Sequence, residues 1–287
     1  MKETVLITGA NSFIASHLIP ILEKEYTLKL LTRKPKSANE FAWDVHKKTI
    51  DKNALDDVNY IVHLAGSKLN DGTPLTAERQ ALVYESRIGA ANFLRDELKK
   101  RNQRLKAFVS ASAIGYYSFQ DNTLEIDENG QRGSGFAADL SDDWEKAADL
   151  FKIDNVTAHV SKIRVSLVLG TNGGILPMYE NIVKSNPQAV FEPNDSAVPW
   201  NHVEDMAGIF AFAVQNQLDG VYNSVAPKAA SQEDIYKAIS NELNLNSPQT
   251  IQAFRGQHLV SKRIQEKGFV FKFPEIQGAI HNLLQNQ

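Results

Sequence analysis

The opening of the chain does most to limit its fold. Thr4-Val5-Leu6-Ile7-Thr8 is a short run rich in β-branched residues, the pattern of a buried strand. Gly9-Ala10-Asn11-Ser12 has turn chemistry. From Phe13 to Glu25 the apolar residues Ile14, Leu18, Ile21 and Leu22 recur at helical spacing. Thr27–Leu31 reads as a second strand, which Thr32-Arg33-Lys34-Pro35 ends. Strand, tight turn, helix and strand in that order make a βαβ unit and set up a parallel sheet.

The alternation continues. Phe41-Ala42-Trp43-Asp44 is a candidate third strand and Tyr60–Leu64 a fourth, stopped by Ala65-Gly66. Thr76–Arg101 is expected as one long amphipathic helix with Leu82, Val83, Leu94 and Leu98 as its apolar points. Ala107–Ser110 reads as the next strand, Asp142–Phe151 as a helix, and Thr157–Val168 holds a further strand. Ser141-Asp142-Asp143 resembles a helix N-cap with an acidic first turn. After Leu169 the pattern changes to loops and one helix around Pro177–Lys184, with a polar stretch at Glu192–Ser196. Val203–Gln215 is an apolar helix for which Asn201 and Glu204 suggest a capping box. Gly220–Val225 reads as a strand and Ser231–Leu243 as a helix. The expected fold is α/β: a doubly wound parallel Rossmann sheet of six or seven strands, with a smaller C-terminal α/β substrate lobe. Residues 1–169 and 200–225 form the nucleotide-binding domain in this reading, and residues 170–199 and 226–287 the lobe.

Composition removes several function classes. Of 287 residues, 43% are hydrophobic and 23% charged, so disorder is not expected. The net charge of −3 and the lack of a basic block argue against a nucleic-acid partner. With no cysteine there is no disulfide, thiolate nucleophile or cysteine-bound zinc, and no metal is expected. No apolar run reaches the ~20 residues of a membrane helix. The first strand starts at Thr4, which leaves no room for a signal peptide, so a cytoplasmic protein without a membrane partner is expected.

The turn after the first strand is where free amides at a helix N-terminus hold a dinucleotide's pyrophosphate. Thr8, Gly9, Asn11, Ser12, Phe13 and Ile14 are therefore the candidate phosphate-binding residues. Gly9 serves the tight turn. Ser12 stands where a glycine lets backbone approach phosphate, and it either crowds the phosphate or donates a hydrogen bond to it. Ala15 replaces the glycine that lets helix pack on sheet. Arg33 and Lys34 follow the second strand, where an acid would hold a ribose diol and a cation suits a 2′-phosphate. NADP(H) is thus favoured over NAD(H). Leu64, Ala65 and Gly66 are small enough for a cofactor to lie against their backbone. His63, between strand apolars, reads as structural, and Asp44 as a turn aspartate that could also meet an adenine amine.

Motifs spread along the chain carry a resemblance. They are Ile7–Leu18 (ITGANSFIASHL), Val62–Gly66 (VHLAG), Ser86–Ala90 (SRIGA), Ser110–Tyr117 (SASAIGYY) and Trp144–Ala148 (WEKAA), then Arg164–Gly170 (RVSLVLG), Trp200–Asp205 (WNHVED), Asn223–Pro227 (NSVAP) and Gly268–Pro274 (GFVFKFP). In these the chain resembles the extended short-chain dehydrogenase/reductase superfamily, and within it an epimerase-like subgroup of atypical reductases. The resemblance implies that Ser112 hydrogen-bonds the substrate oxygen that is oxidised or reduced. It puts Arg87 where an active-site asparagine usually stands, to bind an anionic substrate or simply to lie on a helix surface. It puts Tyr116 and Tyr117 on the loop after Ser112, one of them facing the substrate or both packing over the cleft. Trp200, His202 and Asp205 match a structural interlobe motif. It also implies a homodimer through helices equivalent to Thr76–Arg101 and Asp142–Phe151.

One absence matters more. The superfamily's proton chemistry uses a tyrosine with a lysine four residues later, the lysine lowering the tyrosine pKa. None of the eight tyrosines here has a lysine four positions on. Alignment on Glu145 puts Ala137 and Ser141 at those two places. Three readings follow: an NADP(H)-dependent oxidoreductase or epimerase with an altered acid/base set and an unread small-molecule substrate, a catalytically silent nucleotide-binding sensor, or a scaffold that has lost the cofactor. The first leads.

Overall fold

The computed structural model describes residues 2–69, 72–118, 124–185, 196–245 and 256–285. The polar residues Glu192–Asp195 lie outside them. By internal contacts the chain divides into two compact units. The first comprises residues 1–112, 135–163 and 210–221, the second 113–134, 164–209 and 222–287. The expected lobe, 170–199 and 226–287, falls in the second unit, which also takes 113–134 and the residues flanking the lobe.

Short apolar-rich runs form the strands β1 (Thr4–Thr8), β2 (Thr27–Thr32), β3 (Glu40–Asp44), β4 (Thr49–Ile50), β5 (Val58–His63), β6 (Ala107–Ala113) and β7 (Val160–Val165). Amphipathic runs between them form α1 (Phe13–Leu22), α2 (Ala77–Tyr84), α3 (Ala90–Lys100) and α4 (Phe136–Ile153). The later chain adds β8 (Leu167–Gly170), β9 (Gly173–Gly174), α5 (Leu176–Ser185), β10 (Ala197–Val198), β11 (Trp200–His202) and α6 (Val203–Gln215). It ends with β12 (Gly220–Ser224), β13 (Ala230–Ser231), α7 (Gln232–Glu242), α8 (Lys262–Glu266) and α9 (Ile276–Gln285). The large sheet runs in the order β12-β7-β6-β5-β1-β2-β3-β4. It has one strand more than the expected maximum, because the two-residue β4 pairs antiparallel with the end of β3. The strand that ends at His63 is accordingly the fifth.

β1 lies between β2 and β5, parallel to both, with Thr8 in register with Leu31 and with His63. The chain winds outward from β1 to β3 and then returns to β5 on the other side. The carboxyl ends of β1 and β5 therefore flank the switch point where open α/β sheets bind ligands. The core of the first unit stacks Phe108 on Phe151 at 3.8 Å between ring centres, beside fully buried Leu6, Ile7 and Val62. The second unit has its own core, in which Trp200, Tyr179, Tyr236, Ile239 and Ile280 pack together.

Three local expectations are corrected. The helix expected over Thr76–Arg101 is interrupted by a π-helical turn at Glu85–Gly89, and Leu82 is 53% exposed rather than on the buried stripe. Ser141 does not start a helix. α4 begins five residues earlier, after Gly135 at φ 87°, and Ser141 donates back to the carbonyl of Ala137 at 2.8 Å. The start of α6 is capped by a histidine rather than by Asn201: His202 Nδ1 accepts the Glu204 amide at 3.1 Å, while Asn201 Nδ2 donates to Ser224 Oγ at 2.9 Å. No described helix is long and apolar enough to cross a membrane.

Candidate functional site

The turn after β1 admits only glycine at its first position. Gly9 sits at φ 64°, and a Cβ there would lie 2.6 Å from the Leu64 carbonyl oxygen and 2.8 Å from the Ala65 nitrogen. The Ser12 amide closes the turn by donating to the Gly9 carbonyl at 2.8 Å. Ser12 is the N-cap of α1, and its Oγ accepts the Ala15 amide at 3.3 Å. The amides of Phe13 and Ile14 begin the helix and find no acceptor among the described residues. Ala15 is fully buried under the helix. Asn11 is exposed at the tip of the turn. The result is a narrow cradle of free N–H groups at the positive end of a helix dipole.

The residues after β5 form a strap whose backbone is tied at Leu64, Ala65 and Ser67. Thr8 Oγ1 accepts the amides of Leu64 and Ala65 at 3.1 and 3.0 Å. The Ser67 amide donates to Ser86 Oγ at 2.9 Å, and the Ser67 carbonyl accepts Arg87 Nη2 at 3.0 Å. Gly66 lies against the guanidinium of Arg87, where a Cβ would come within 2.8 Å of Cζ. Ser86 and Arg87 both belong to the π-helical turn, so that irregularity aims two polar side chains at the strap. At the end of the π turn the Ala90 amide donates to the Arg87 carbonyl, and His63 Nε2 reaches the same oxygen at 3.1 Å.

Arg87 is not a surface helix residue. It is 8% exposed, and burial pushes its guanidinium pKa down to about 10. His63 is fully buried and its pKa is pushed down to about 4, chiefly by burial, so it is neutral and structural as expected.

Arg33 and Lys34 follow β2 at the same sheet end as Gly9. Both are exposed and neither has an ion-pair or hydrogen-bond partner among the described residues. Their loop is pinned by Glu40 Oε2, which accepts the Lys36 amide at 2.7 Å. Asp44 accepts the Lys47 amide at 3.0 Å, which makes it a turn aspartate.

Ser112, near the end of β6, donates to Glu145 Oε1 of α4 at 2.7 Å, and both are buried. Ala137, Ser141 and Glu145 follow each other at four-residue steps on α4, hence on one face. That face carries no tyrosine or lysine. Its ionisable member is Glu145, two turns beyond Ala137, bonded to the serine.

Tyr116 and Tyr117 belong to the second unit and differ from each other. Tyr117 is buried, donates to Asn223 Oδ1 at 2.7 Å and accepts Arg164 Nη1 at 2.7 Å; burial pushes its pKa up to about 12. Its hydroxyl is thus committed to two buried partners. Tyr116 is half-buried, with its ring face 3.6 Å from the Arg164 guanidinium. Its hydroxyl has no partner among the described residues. In the same unit Asp205 accepts the amides of Lys272 and Phe273, each at 2.8 Å, and His202 stacks on Phe273 at 3.8 Å. These contacts fit the structural reading of the Trp200–Asp205 motif.

The first unit thus assembles Thr8, Gly9, Ser12, Phe13, Ile14, Leu64–Gly66, Arg87, Arg33 and Lys34 around one sheet end. The sequence reading passed over Ser86, Trp144 and the partnership of Glu145 with Ser112. The four-residue spacing of Ala137, Ser141 and Glu145 was the available signal for the last.

Residues 5–137 match the profile described as the NAD dependent epimerase/dehydratase family. The epimerase family protein ML0860 of Mycobacterium leprae is 26% identical, with 94% of this chain and 92% of that protein covered. The crystal structure of human epimerase family protein SDR39U1 (isoform2) with NADPH superposes with a TM-score of 0.86 at 25% identity, over 99% of this chain and 100% of that one. The UDP-N-acetylglucosamine 4-epimerase from Bacillus cereus shares the fold, with a TM-score of 0.80 at 15% identity over 99% and 96% of the two chains.

Proposed function

We propose, for a chain that belongs to the extended short-chain dehydrogenase/reductase superfamily in its epimerase-like form, that it binds NADP(H) and acts as an oxidoreductase or epimerase on a small molecule. The observation that carries this reading is the pairing of an open amide cradle at Gly9–Ile14 with two uncommitted cations, Arg33 and Lys34, at the adjoining strand end. The cradle fits a pyrophosphate, because Gly9 leaves no side chain in the turn and the Phe13 and Ile14 amides await acceptors. The cations fit a 2′-phosphate. A solved relative with NADPH supports the same preference.

When bound, the nicotinamide supplies hydride transfer. The chain's own residues hold and orient. Leu64, Ala65 and Gly66 offer a flat backbone strap, kept rigid by Thr8, Ser86 and Arg87. The Ser112 hydroxyl bonds the reacting oxygen and passes a proton through its contact with Glu145. Tyr116 carries the remaining uncommitted hydroxyl of the expected set. The reading includes a cytoplasmic protein that uses no nucleic acid or membrane and pairs as a homodimer.

Calorimetry with NADPH and NADH on wild type and Arg33→Ala tests the cofactor assignment. Loss of a charge-assisted contact weakens binding roughly ten- to hundredfold. The expected outcome is that loss for NADPH and little change for NADH. Equal losses for both would remove the phosphate assignment.

A further inference from the structure

Arg87 and Trp144 are both buried, at 8% and 6% exposure, and the guanidinium centre lies 5.0 Å from the centre of the indole ring. Their side chains can donate hydrogen bonds but cannot accept them. Arg87 Nη1 donates to the Val83 carbonyl at 3.2 Å and to Ser86 Oγ at 3.4 Å, and Nη2 donates to the Ser67 carbonyl at 3.0 Å. All three acceptors are neutral. No carboxylate lies within ion-pair reach of Arg87 among the described residues. Arg87 Nε and Trp144 Nε1 are buried N–H groups without an acceptor among the described residues.

Both donors are buried on side chains in contact, and one belongs to a cation without a counter-charge. A group that accepts hydrogen bonds and carries negative charge answers both needs. Water would satisfy the donors and leave the charge uncompensated. A carboxylate or phosphate satisfies both needs.

We propose that Arg87 and Trp144 form a subsite for an anionic oxygen group of the substrate, which makes the substrate an acid: a carboxylate or a phosphate ester. This deepens the reading given under Proposed function and rests on it for assigning the anion to the substrate. The placement is consistent within the unit. Trp144 precedes Glu145 on α4, so the subsite and the Ser112–Glu145 pair draw on consecutive residues of one helix. Arg87 in turn holds the strap at Gly66 and Ser67, so an anion on its free edge bears on backbone that the cofactor is proposed to touch.

The test uses the full chain, saturated with NADPH and labelled with ¹⁵N. The three tryptophans give three indole N–H signals, and Trp144→Phe assigns that of Trp144. Acetate and inorganic phosphate are titrated separately against chloride at matched ionic strength. The expected result is a saturable movement of the Trp144 signal with one of the two anions, which names the class. Affinity should fall at least tenfold in Arg87→Met and less in Arg87→Lys. Trp144→Phe keeps the ring against Arg87 and removes the N–H. It should reduce the thermal shift given by the anion while leaving the circular dichroism spectrum unchanged. The proposal is overturned if neither anion moves the signal, if chloride moves it equally, or if Arg87→Met binds as wild type does. A response given by the free protein but not by the NADPH-saturated protein also overturns it, since the anion would then be the cofactor's phosphate. Should NADPH itself fail to bind, the cofactor reading falls, and the same titration on the free protein still decides the anion subsite.

Discussion

The hydroxyl of Thr8 donates its proton to Nδ1 of His63 across 2.9 Å. The direction follows from counting. Both lone pairs of Thr8 Oγ1 are taken by the amides of Leu64 and Ala65, so its hydrogen has only the ring nitrogen left. His63 Nδ1 is therefore an acceptor, and the proton of the neutral ring sits on Nε2, where it bonds the Arg87 carbonyl that the Ala90 amide also reaches. One buried neutral histidine thereby joins the end of β1, the strap and the π turn.

That arrangement makes stability depend on acid. His63 titrates near 6.5 when unfolded and near 4 when folded, with burial as the main cause. As pH falls below about 6.5 the unfolded chain takes up the proton first. The stabilisation is complete above that pH and is lost progressively down to about 4, to a total of about 3 kcal/mol. Urea unfolding at pH 7.5 and pH 4.5 should show the loss. His63→Gln should be less stable at neutral pH but flatter across this window. An equally steep dependence in His63→Gln would assign the effect to other groups.

Gly9→Ala should damage both fold and binding. The left-handed backbone disfavours a Cβ by about 1–2 kcal/mol, and the contact with the Leu64 carbonyl adds roughly 1–3 kcal/mol of crowding. The Leu64 strap must shift to relieve it. NADPH affinity, measured by calorimetry, is expected to fall at least tenfold. Wild-type affinity with only the stability lowered would remove the strap from the cofactor site.

Ser12 decides between crowding and donating. Its Oγ already accepts the Ala15 amide, and its own proton is uncommitted among the described residues, which favours a donor to phosphate. Ser12→Gly costs the helix cap only a few tenths of a kcal/mol. It should therefore weaken NADPH binding about tenfold with the melting temperature nearly unchanged, the effect of one lost charge-assisted hydrogen bond. Tighter binding by the glycine variant would mean the serine crowds the phosphate.

What the sequence discloses here follows from the range of each interaction. The strands and α1 were legible because burial on both faces gives a short continuous apolar run, as in Thr4–Thr8, and burial on one helix face gives a period of 3.6, as in Phe13–Leu22. The Gly9 turn and the Arg33-Lys34 pair were legible because their chemistry lies in consecutive residues. The π turn at Glu85–Gly89 was not, since one inserted residue scarcely disturbs the apolar spacing around it. Asn201 and Ser141 misled because a capping residue is recognised by type alone, while in space His202 caps α6 and α4 starts after Gly135, which offers no side chain as a cap. The Ser112–Glu145 bond joins residues 33 positions apart, and Tyr117 reaches Asn223 across 106, so both depend on tertiary structure.

The last prediction concerns the proton. With Ala137 and Ser141 at the two vacated positions, and Ser141 tied to its own helix, the ionisable group bonded to Ser112 is Glu145. Turnover, sought in a screen of acidic substrates followed by reduced-nicotinamide absorbance, should therefore need both residues. A positioned general acid or base is worth about 10²–10⁴-fold, so Ser112→Ala and Glu145→Gln should each lower kcat by that order with less change in KM. Glu145→Asp should recover part of it. Tyr116→Phe tests the remaining free hydroxyl and should lower kcat only if that group also meets substrate. Tyr117→Phe should behave differently: it strips partners from buried Arg164 and Asn223, so stability falls by about 1–3 kcal/mol while turnover of the folded fraction is kept. Full turnover in Glu145→Gln would show that the proton travels by a route that does not include the serine–glutamate pair.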